Sequence, residues 1–422
     1  IWCSAAMQES NWSPHNWILH SGQSCNDMVD KFYKPQPQKE QKQSHSPQLA
    51  RRKLGTVADH WDSNGCNGGL LAKTIQTVTE GEGGSYYTWL STDFPILSDT
   101  KLGAGKLLLQ PLGLALPHYA DSAKIGYVTD GTGLVGILLS GSSEERVLKL
   151  KKGDMLPVPL GAISWWFNDG NTDFSLVFLG DTSKAHNPGN FTYFFLTGAI
   201  GILNGFSSEF LVTAFGLSEE ETTKITTSQP GAVIVKLDDQ QQMPEPNKNG
   251  NEHMVYNTEI ARPDVDVKNG GQLLVVSPKE FDLLGEVGLS GAVVKLEKNA
   301  MYAPEYSSSS AFQVNYIVKG SGRVQIVGFN GQNVLNETVK SGDLFVVPRF
   351  FVVSVIAGEE GMDWFSIFTM QKPVFSQLAG NTSAWKALSP KVVQAALNIT
   401  PELEERFRSK MSMNATFFPP SN

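Results

Sequence analysis

The residues that could take part in chemistry are few and widely spaced. No Gly-x-Ser-x-Gly elbow is present, and no cysteine stands near a histidine at the spacing of a known nucleophile motif. The glycine-rich stretches 81–84 and 131–133 lack the strand–loop–helix context of a phosphate loop and predict β-turns. His118 has two interpretations: a hydrogen-bonded core residue, which we favour, or part of a small-molecule pocket. The sequence therefore predicts no catalytic residue.

A long internal repeat organises the chain. The stretch 127–133 reappears at 316–322, and 153–159 reappears at 342–348. Both displacements are 189 residues (316 − 127 and 342 − 153), so the spacing between the two motifs is the same in each copy. Such a repeat predicts two copies of one domain in tandem.

The repeat also sets the predicted domain boundaries. The first copy is assigned to 84–240 and the second to 271–422, both of ordinary domain size. Residues 1–83 form a polar extension, partly Pro/Gln-rich, that we predict to be partly disordered. The stretch 241–270, rich in Pro, Asn and Gly at its start, is predicted to be a linker and the beginning of the second half.

In each copy a β pattern is followed by a helical one. Short apolar or alternating runs separated by Gly, Pro and Asp predict a sandwich or barrel. In the first copy these runs are 85–90, 104–110, 125–128, 134–139, 146–150, 163–167 and 176–179. A helix is predicted at 206–215, and the next opens with a Ser218-x-x-Glu221 capping box. Pro390 and Pro401 suit the first position of two later helices, so each barrel carries a small helical lobe.

Composition excludes two classes of partner. The net charge is −8 with a pI near 5.5, and no cluster of Lys and Arg forms a stripe, so no nucleic-acid partner is expected. No apolar run reaches the ~18–20 residues needed to span a bilayer, so no membrane association is expected either. The three cysteines, Cys3, Cys25 and Cys66, precede the first repeat; a Cys3–Cys25 disulfide and free thiols are both compatible with the sequence.

The motifs of the first copy resemble those of the cupin superfamily. Gly153, Pro159, Gly161 and Asn168 have the spacing of the second cupin motif, with Ser164 where a histidine would stand. The first motif resembles the stretch from Pro117-His118-Tyr119 to Gly131. The resemblance implies an all-β fold of tandem cupin jelly-roll β-barrels, each followed by a helical extension.

Several stretches of the second copy resemble 11S seed globulins, the legumins and glutelins. These stretches are 298–304, 378–380 and 388–393. The resemblance implies a non-enzymatic seed storage protein that forms homotrimers or hexamers, in the seed protein storage vacuole (alternatively the cytoplasm). Neighbouring subunits would pack through apolar positions of the second lobe, namely Val392, Val393, Ala396 and Leu397.

The linker contains a candidate processing site. Asn249-Gly250-Asn251-Glu252 fits the Asn-Gly-x-Glu pattern at which legumin precursors are cut, so Asn249 and Gly250 would flank the cut. The cysteine that follows this pattern in legumins is absent, and Tyr256 stands near its place. An ordinary polar linker explains the same residues equally well.

The cupin resemblance also implies where a metal would be held, and the residues there do not suit one. The first copy offers one imidazole opposite a lysine, and the second copy offers none. The corresponding positions are His118, Ala120, Lys124 and Ser164 in the first copy and Glu305, Ser307, Gln313 and Val353 in the second. We therefore expect no metal, no cofactor and no enzyme activity.

With the metal gone, a barrel of this size could hold one small ligand. The alternative function is therefore a carrier of an apolar or aromatic acid, for example a plant hormone such as auxin. The candidate pocket residues are His118, Lys124, Ser164, Trp166 and Arg349. A barrel filled by its own side chains is the interpretation we favour.

Overall fold

The structure is a computed structural model that describes residues 69–231, 233–247, 253–412 and 416–420. These residues belong to one unit, Ala58–Asn422. The unit contains two β-rich halves, and one apolar core runs through both of them. No helix among the described residues is both long and apolar enough to cross a membrane.

The first half is built from two antiparallel sheets that face each other. The six-stranded sheet has the order β12-β5-β10-β7-β8, with β13 also paired to β5, and the seven-stranded sheet has the order β14-β9-β6-β11-β4-β3-β2. The strands are β2 (Gln76–Gly81), β3 (Gly84–Thr88), β4 (Leu102–Leu109), β5 (Gly113–Ala120), β6 (Ala123–Asp130), β7 (Thr132–Leu138), β8 (Arg146–Lys151), β9 (Asp154–Val158), β10 (Ile163–Phe167), β11 (Phe174–Asp181), β12 (Tyr193–Phe195), β13 (Ile234–Lys236) and β14 (Tyr256–Asn257).

The second half forms one folded sheet of eleven strands, because its two longest strands each run through both layers. A short strand from the N-terminal side of the first half, β1 (Leu71–Ala72), pairs with β21 and joins this sheet. The other strands are β15 (Val265–Val267), β16 (Gly271–Val276), β17 (Ser290–Leu296), β18 (Met301–Ser307), β19 (Gln313–Val327), β20 (Asn333–Lys340), β21 (Leu344–Val347), β22 (Val352–Phe368), β23 (Phe375–Gln377) and β24 (Phe417–Phe418).

The sequence repeat is also a repeat of strand register. Tyr127 pairs with Met155 in the first half, and Tyr316 pairs with Leu344, each 189 residues later, in the second. The repeated glycines explain themselves in the same way. Gly131 and Gly320 have φ values of 75° and 73°, and a Cβ there would lie 2.2 Å and 2.1 Å from a backbone carbonyl oxygen. The predicted all-β fold of two cupin barrels is confirmed.

The helical lobes begin where their caps predict. The Ser218–Glu221 capping box opens α3, with both reciprocal hydrogen bonds formed, and Pro390 and Pro401 each stand in the first turn of a helix. The helices are α1 (Ile96–Thr100), α2 (Ser208–Phe215), α3 (Glu219–Thr227), α4 (Leu284–Val287), α5 (Ala384–Ala387), α6 (Pro390–Leu397) and α7 (Pro401–Lys410), with 3₁₀ turns at Ile202–Gly205 and Phe329–Gly331.

The β structure starts earlier than residue 84, where the sequence placed the first domain. Strands β1 and β2 precede that boundary, and β14 and β15 lie inside the predicted linker 241–270. The sequence Gln-Thr-Val-Thr-Glu-Gly of β2 is polar and mostly exposed, since β2 is an edge strand paired only with β3. An edge strand of this kind lacks the apolar alternation by which strands are found in sequence.

Aromatic contacts hold the two halves together. The ring of Tyr127 stacks on Phe365 of the second half at 4.4 Å between centroids, and Trp89 of the first half meets Tyr316 edge-on at 5.8 Å. Tyr127 and Tyr316 are equivalent positions of the repeat, so each half contributes the same tyrosine to the shared core. Aromatic pairs of this geometry add stability beyond the burial of their area.

Candidate functional site

The two sheets of the first half enclose a cavity of about 390 Å³. The seven-stranded sheet contributes Lys124 to its wall, and the six-stranded sheet contributes His118 and Trp166. Val78 and Ile200, which are largely exposed, lie at the rim. The structure thus brings together three of the five residues that the sequence proposed for a pocket.

Lys124 projects into this cavity from strand β6. The residue is 3% exposed, and none of the hydrogen bonds among the described residues uses its Nζ. Its Nζ lies 4.3 Å from the ring centroid of Tyr193, 5.2 Å from that of Phe191 and 5.6 Å from that of Phe178. Burial lowers the pKa of Lys124 to about 7, and the charge of Asp121 offsets only part of that effect.

His118 faces the same cavity from strand β5. Its Nδ1 lies 2.8 Å from the carbonyl oxygen of Leu116, which requires Nδ1 to carry the proton and leaves Nε2 as an acceptor. Burial, followed by the positive charge of Lys124, lowers the pKa of His118 to about 4, although the bond to Leu116 acts in the opposite direction. The imidazole is therefore neutral at physiological pH.

Ser164 and Trp166 form the floor beside the histidine. Ser164 pairs with His118 across strands β10 and β5, and its hydroxyl accepts a 3.3 Å hydrogen bond from Trp166 Nε1. The indole of Trp166 packs edge-on against Phe178 at 5.1 Å. Ser164 therefore supports the tryptophan from behind, while the indole itself lines the cavity.

Sequence reasoning missed the tyrosines of the cavity. The hydroxyls of Tyr86 and Tyr193 share a 2.6 Å hydrogen bond, and their rings meet edge-on at 5.3 Å. Burial raises the pKa of both phenols, so both are neutral. The one sequence signal was Lys124 itself, because a lysine in an apolar strand needs rings or a counter-ion near it.

The residues of the first half do not fit a metal ion. The register His118–Ser164 places the one imidazole opposite a hydroxyl, and Lys124 supplies a positive charge where a carboxylate would be needed. Among the described residues, no group of three or more His, Cys, Asp or Glu is arranged to hold a metal. No step of chemistry is derived through a metal here.

The second half has the same register but no comparable cavity. Glu305 pairs with Val353 as His118 pairs with Ser164, yet the space beside them measures only about 10 Å³. Glu305 is 3% exposed and accepts hydrogen bonds of 2.5 Å from Tyr302 Oη and from Gln377 Nε2. Burial raises the pKa of Glu305 to about 7, although these two bonds lower it.

Two proposed sites lie away from the first cavity. Arg349 follows strand β21 in the second half, is exposed, and places its guanidinium 4.1 Å from the ring centroid of Phe312, so it does not line the cavity. The spacing of the repeat could not show this, because it does not tell which barrel an exposed loop residue borders. Asn249 and Gly250 lie outside the described residues, as do the three cysteines.

Comparison with known proteins agrees with the fold and with the repeat. The family model described as Cupin matches residues 71–223 and 256–405, one match in each half. The chain belongs to the cupin family. The two matches coincide with the two barrels and also include most of both helical lobes.

The relatives of this cupin chain are seed storage globulins. It is 25% identical to 11S globulin seed storage protein 2 of Sesamum indicum, over 74% of this chain and 82% of that protein. It is 25% identical to the 13S globulin seed storage protein of Fagopyrum tataricum, over 71% and 77%. The crystal structure of pumpkin seed globulin matches with a TM-score of 0.77 and 25% identity, over 85% of this chain and all of that one. The predicted resemblance to 11S globulins is confirmed, and these relatives are storage proteins rather than enzymes.

Proposed function

We propose that this protein is a nutrient reservoir of seeds of the 11S globulin type, without enzymatic activity. The observation that carries the proposal is the similarity to seed storage globulins over both barrels and most of both lobes. The lost metal ligands agree with it, since a lysine and a serine replace groups that metal chemistry would need. Storage is favoured over the carrier alternative because the relatives are named for storage.

Protein quantification in seeds of the source plant tests this proposal. A reserve protein accumulates to a large share of total seed protein during maturation and is degraded within days of germination. Equal, low abundance in seeds and leaves, or persistence through seedling growth, would contradict storage. Immunolabelling of the same seeds tests the further proposal that the protein is kept in the protein storage vacuole rather than the cytoplasm.

We also propose that the chain assembles into homotrimers, which can pair into hexamers, through its helical lobes. Both lobes present apolar side chains that the chain itself does not cover. In the first lobe these are Phe206, Phe210, Phe215 and Ile225, and in the second they are Leu388, Val392, Leu397, Leu403 and Phe407. Closed rings let each lobe pack on the next subunit, so that no such surface remains in water.

One residue of the predicted interface faces the other way. Val393 is fully buried within its own chain, whereas Val392 is 49% exposed. Consecutive residues of a helix point about 100° apart, so the two valines cannot both face a neighbour. Val393 therefore belongs to the internal packing of the lobe, and Val392 and Leu397 are the residues of α6 available to a partner.

Substitution of Val392 by Asp is expected to weaken assembly. A carboxylate buried in an apolar interface loses its hydration, so we expect association at least about tenfold weaker, with monomers appearing at micromolar concentration. Native mass spectrometry and size-exclusion chromatography measure this. Lys391→Asp is the matched control, since it introduces the same side chain at an exposed polar position of α6 and should leave the oligomer intact. Unchanged assembly of V392D would show that this lobe face is not the interface.

We propose, finally, that Asn249-Gly250 is a processing site, as the Asn-Gly-x-Glu pattern indicates. Terminal sequencing of the protein isolated from seeds tests this directly. A new N-terminus at Gly250 supports cleavage, and an intact chain in mature seeds contradicts it.

A further inference from the structure

The cavity of the first half contains a cation without a counter-ion. None of the side chains that line it is an Asp or a Glu. The acidic group whose charge acts on Lys124 is Asp121, but its carboxylate already accepts hydrogen bonds from Ser122 Oγ and from the backbone N–H groups of His186 and Thr192. A buried ammonium of this kind is costly unless an anion or aromatic rings compensate it.

The rings around Lys124 compensate part of that cost and shape the space beside it. Tyr193, Phe191 and Phe178 lie within 5.6 Å of the ammonium, and Trp166 closes the floor. A volume of about 390 Å³ is within the range of small-molecule sites. Such a cavity accepts a planar aromatic body next to the charged group.

His118 adds a second polar requirement. Its Nδ1 proton is committed to the carbonyl of Leu116, and no described residue donates a hydrogen bond to Nε2. A neutral imidazole nitrogen in this state is an acceptor. The cavity therefore presents one cationic donor and one neutral acceptor, both set among aromatic rings.

We propose that the cavity of the first half binds a small aromatic carboxylic acid that carries an N–H or O–H donor. The ligand carboxylate is the counter-ion of Lys124, and its donor meets His118 Nε2. The second half offers no equivalent site, since its space beside Glu305 measures about 10 Å³ and carries an acidic group instead. The inference is independent of the storage role, because a reserve protein can hold a ligand without being its carrier.

The charges around the site predict how binding depends on pH. The pKa of Lys124 is about 7 in the free protein, so above that pH the ligand must also recruit a proton. His118, Tyr86 and Tyr193 stay neutral between pH 5 and 9, and Asp121 stays ionised because its hydrogen bonds outweigh burial and lower its pKa. Affinity is therefore greatest near pH 5–7 and falls about tenfold per pH unit above pH 7.

Titration calorimetry with three matched probes tests the proposal. 4-Hydroxyphenylacetate has the carboxylate and the donor, 4-hydroxyphenylacetamide lacks the charge, and phenylacetate lacks the donor. We expect the first to bind at least about tenfold more tightly than the amide at pH 6 and also more tightly than phenylacetate. Titrations at pH 8 in buffers of different ionisation enthalpy should show net proton uptake.

Variants of the full-length protein assign the effect to Lys124. Lys124→Met should abolish the preference for the acid over the amide, while the amide still binds. Lys106→Met is the matched control, since Lys106 lies on strand β4 next to the cavity residue Leu107 but does not line the cavity. Circular dichroism and melting curves show whether each variant is folded. Equal affinity for acid and amide, no measurable binding of any probe, or a preference that survives in folded K124M overturns the proposal.

Discussion

Replacement of Lys124 by Met is expected to stabilise the protein by about 2–3 kcal/mol at pH 6. The pKa of this lysine falls from 10.5 to about 7 on folding, and that difference corresponds to about 5 kcal/mol. Cation–π contacts with the three surrounding rings return about 2 kcal/mol of it. Methionine has a similar length, carries no charge and packs well against aromatic rings.

The gain should depend on pH with a defined sign. A lysine whose folded pKa is lowered carries no penalty above pH 10.5, because it is neutral in both the folded and unfolded states. The penalty grows as the pH falls from 10.5 to about 7, and it is constant below that. The difference in unfolding free energy between K124M and the unsubstituted protein should thus fall below about 1 kcal/mol at pH 10.

Guanidinium unfolding curves at pH 6, 8 and 10 measure this difference. Lys184→Met, at an exposed position of the same half, is the control and should change stability little at any pH. If K124M is no more stable than the unsubstituted protein at pH 6, Lys124 is not desolvated as the structure describes, and the ligand proposal loses its cation.

The repeat made the framework of the fold predictable. A constant displacement of 189 residues predicts that equivalent residues have equivalent strand partners, and the pairs Tyr127–Met155 and Tyr316–Leu344 agree with it. Helix starts were predictable for another reason, since a capping box or a first-turn proline is a local signal. The edge strand β2 was missed because its polar residues give no period.

The site was predictable only in part, because its residues come from two kinds of segment. His118, Lys124 and Trp166 stand in or beside the repeated motifs, and they do meet in one cavity. Phe191 and Tyr193 come from the segment after β11, where no motif marks them, and only the folded chain brings them to Lys124. Whether a barrel is hollow is likewise a property of packing, since the second half has the same register and hardly any space.

The filled barrel of the second half leads to the other large expected effect. Substitution of Glu305 by Gln should stabilise the protein by about 3 kcal/mol at pH 8 and by less than about 1 kcal/mol at pH 5. Burial raises the pKa of this carboxyl from 4.5 to about 7, so folding favours its protonated form. The unsubstituted protein has the full benefit below pH 4.5 and loses stability as the pH rises to 7 and the buried carboxyl must ionise.

Glutamine suits the site because it keeps both hydrogen bonds without a charge. Its amide oxygen can accept from Gln377 Nε2, and its amide nitrogen can donate to Tyr302 Oη, where the carboxylate now accepts from both. Unfolding curves at pH 5 and pH 8 measure the difference. Glu337→Gln is the control, because that carboxylate is half-exposed and its ion pair with Lys73 is worth little. A loss of stability at pH 8 in E305Q would mean that Glu305 is ionised in the folded protein and that its two hydrogen bonds outweigh the cost of burial.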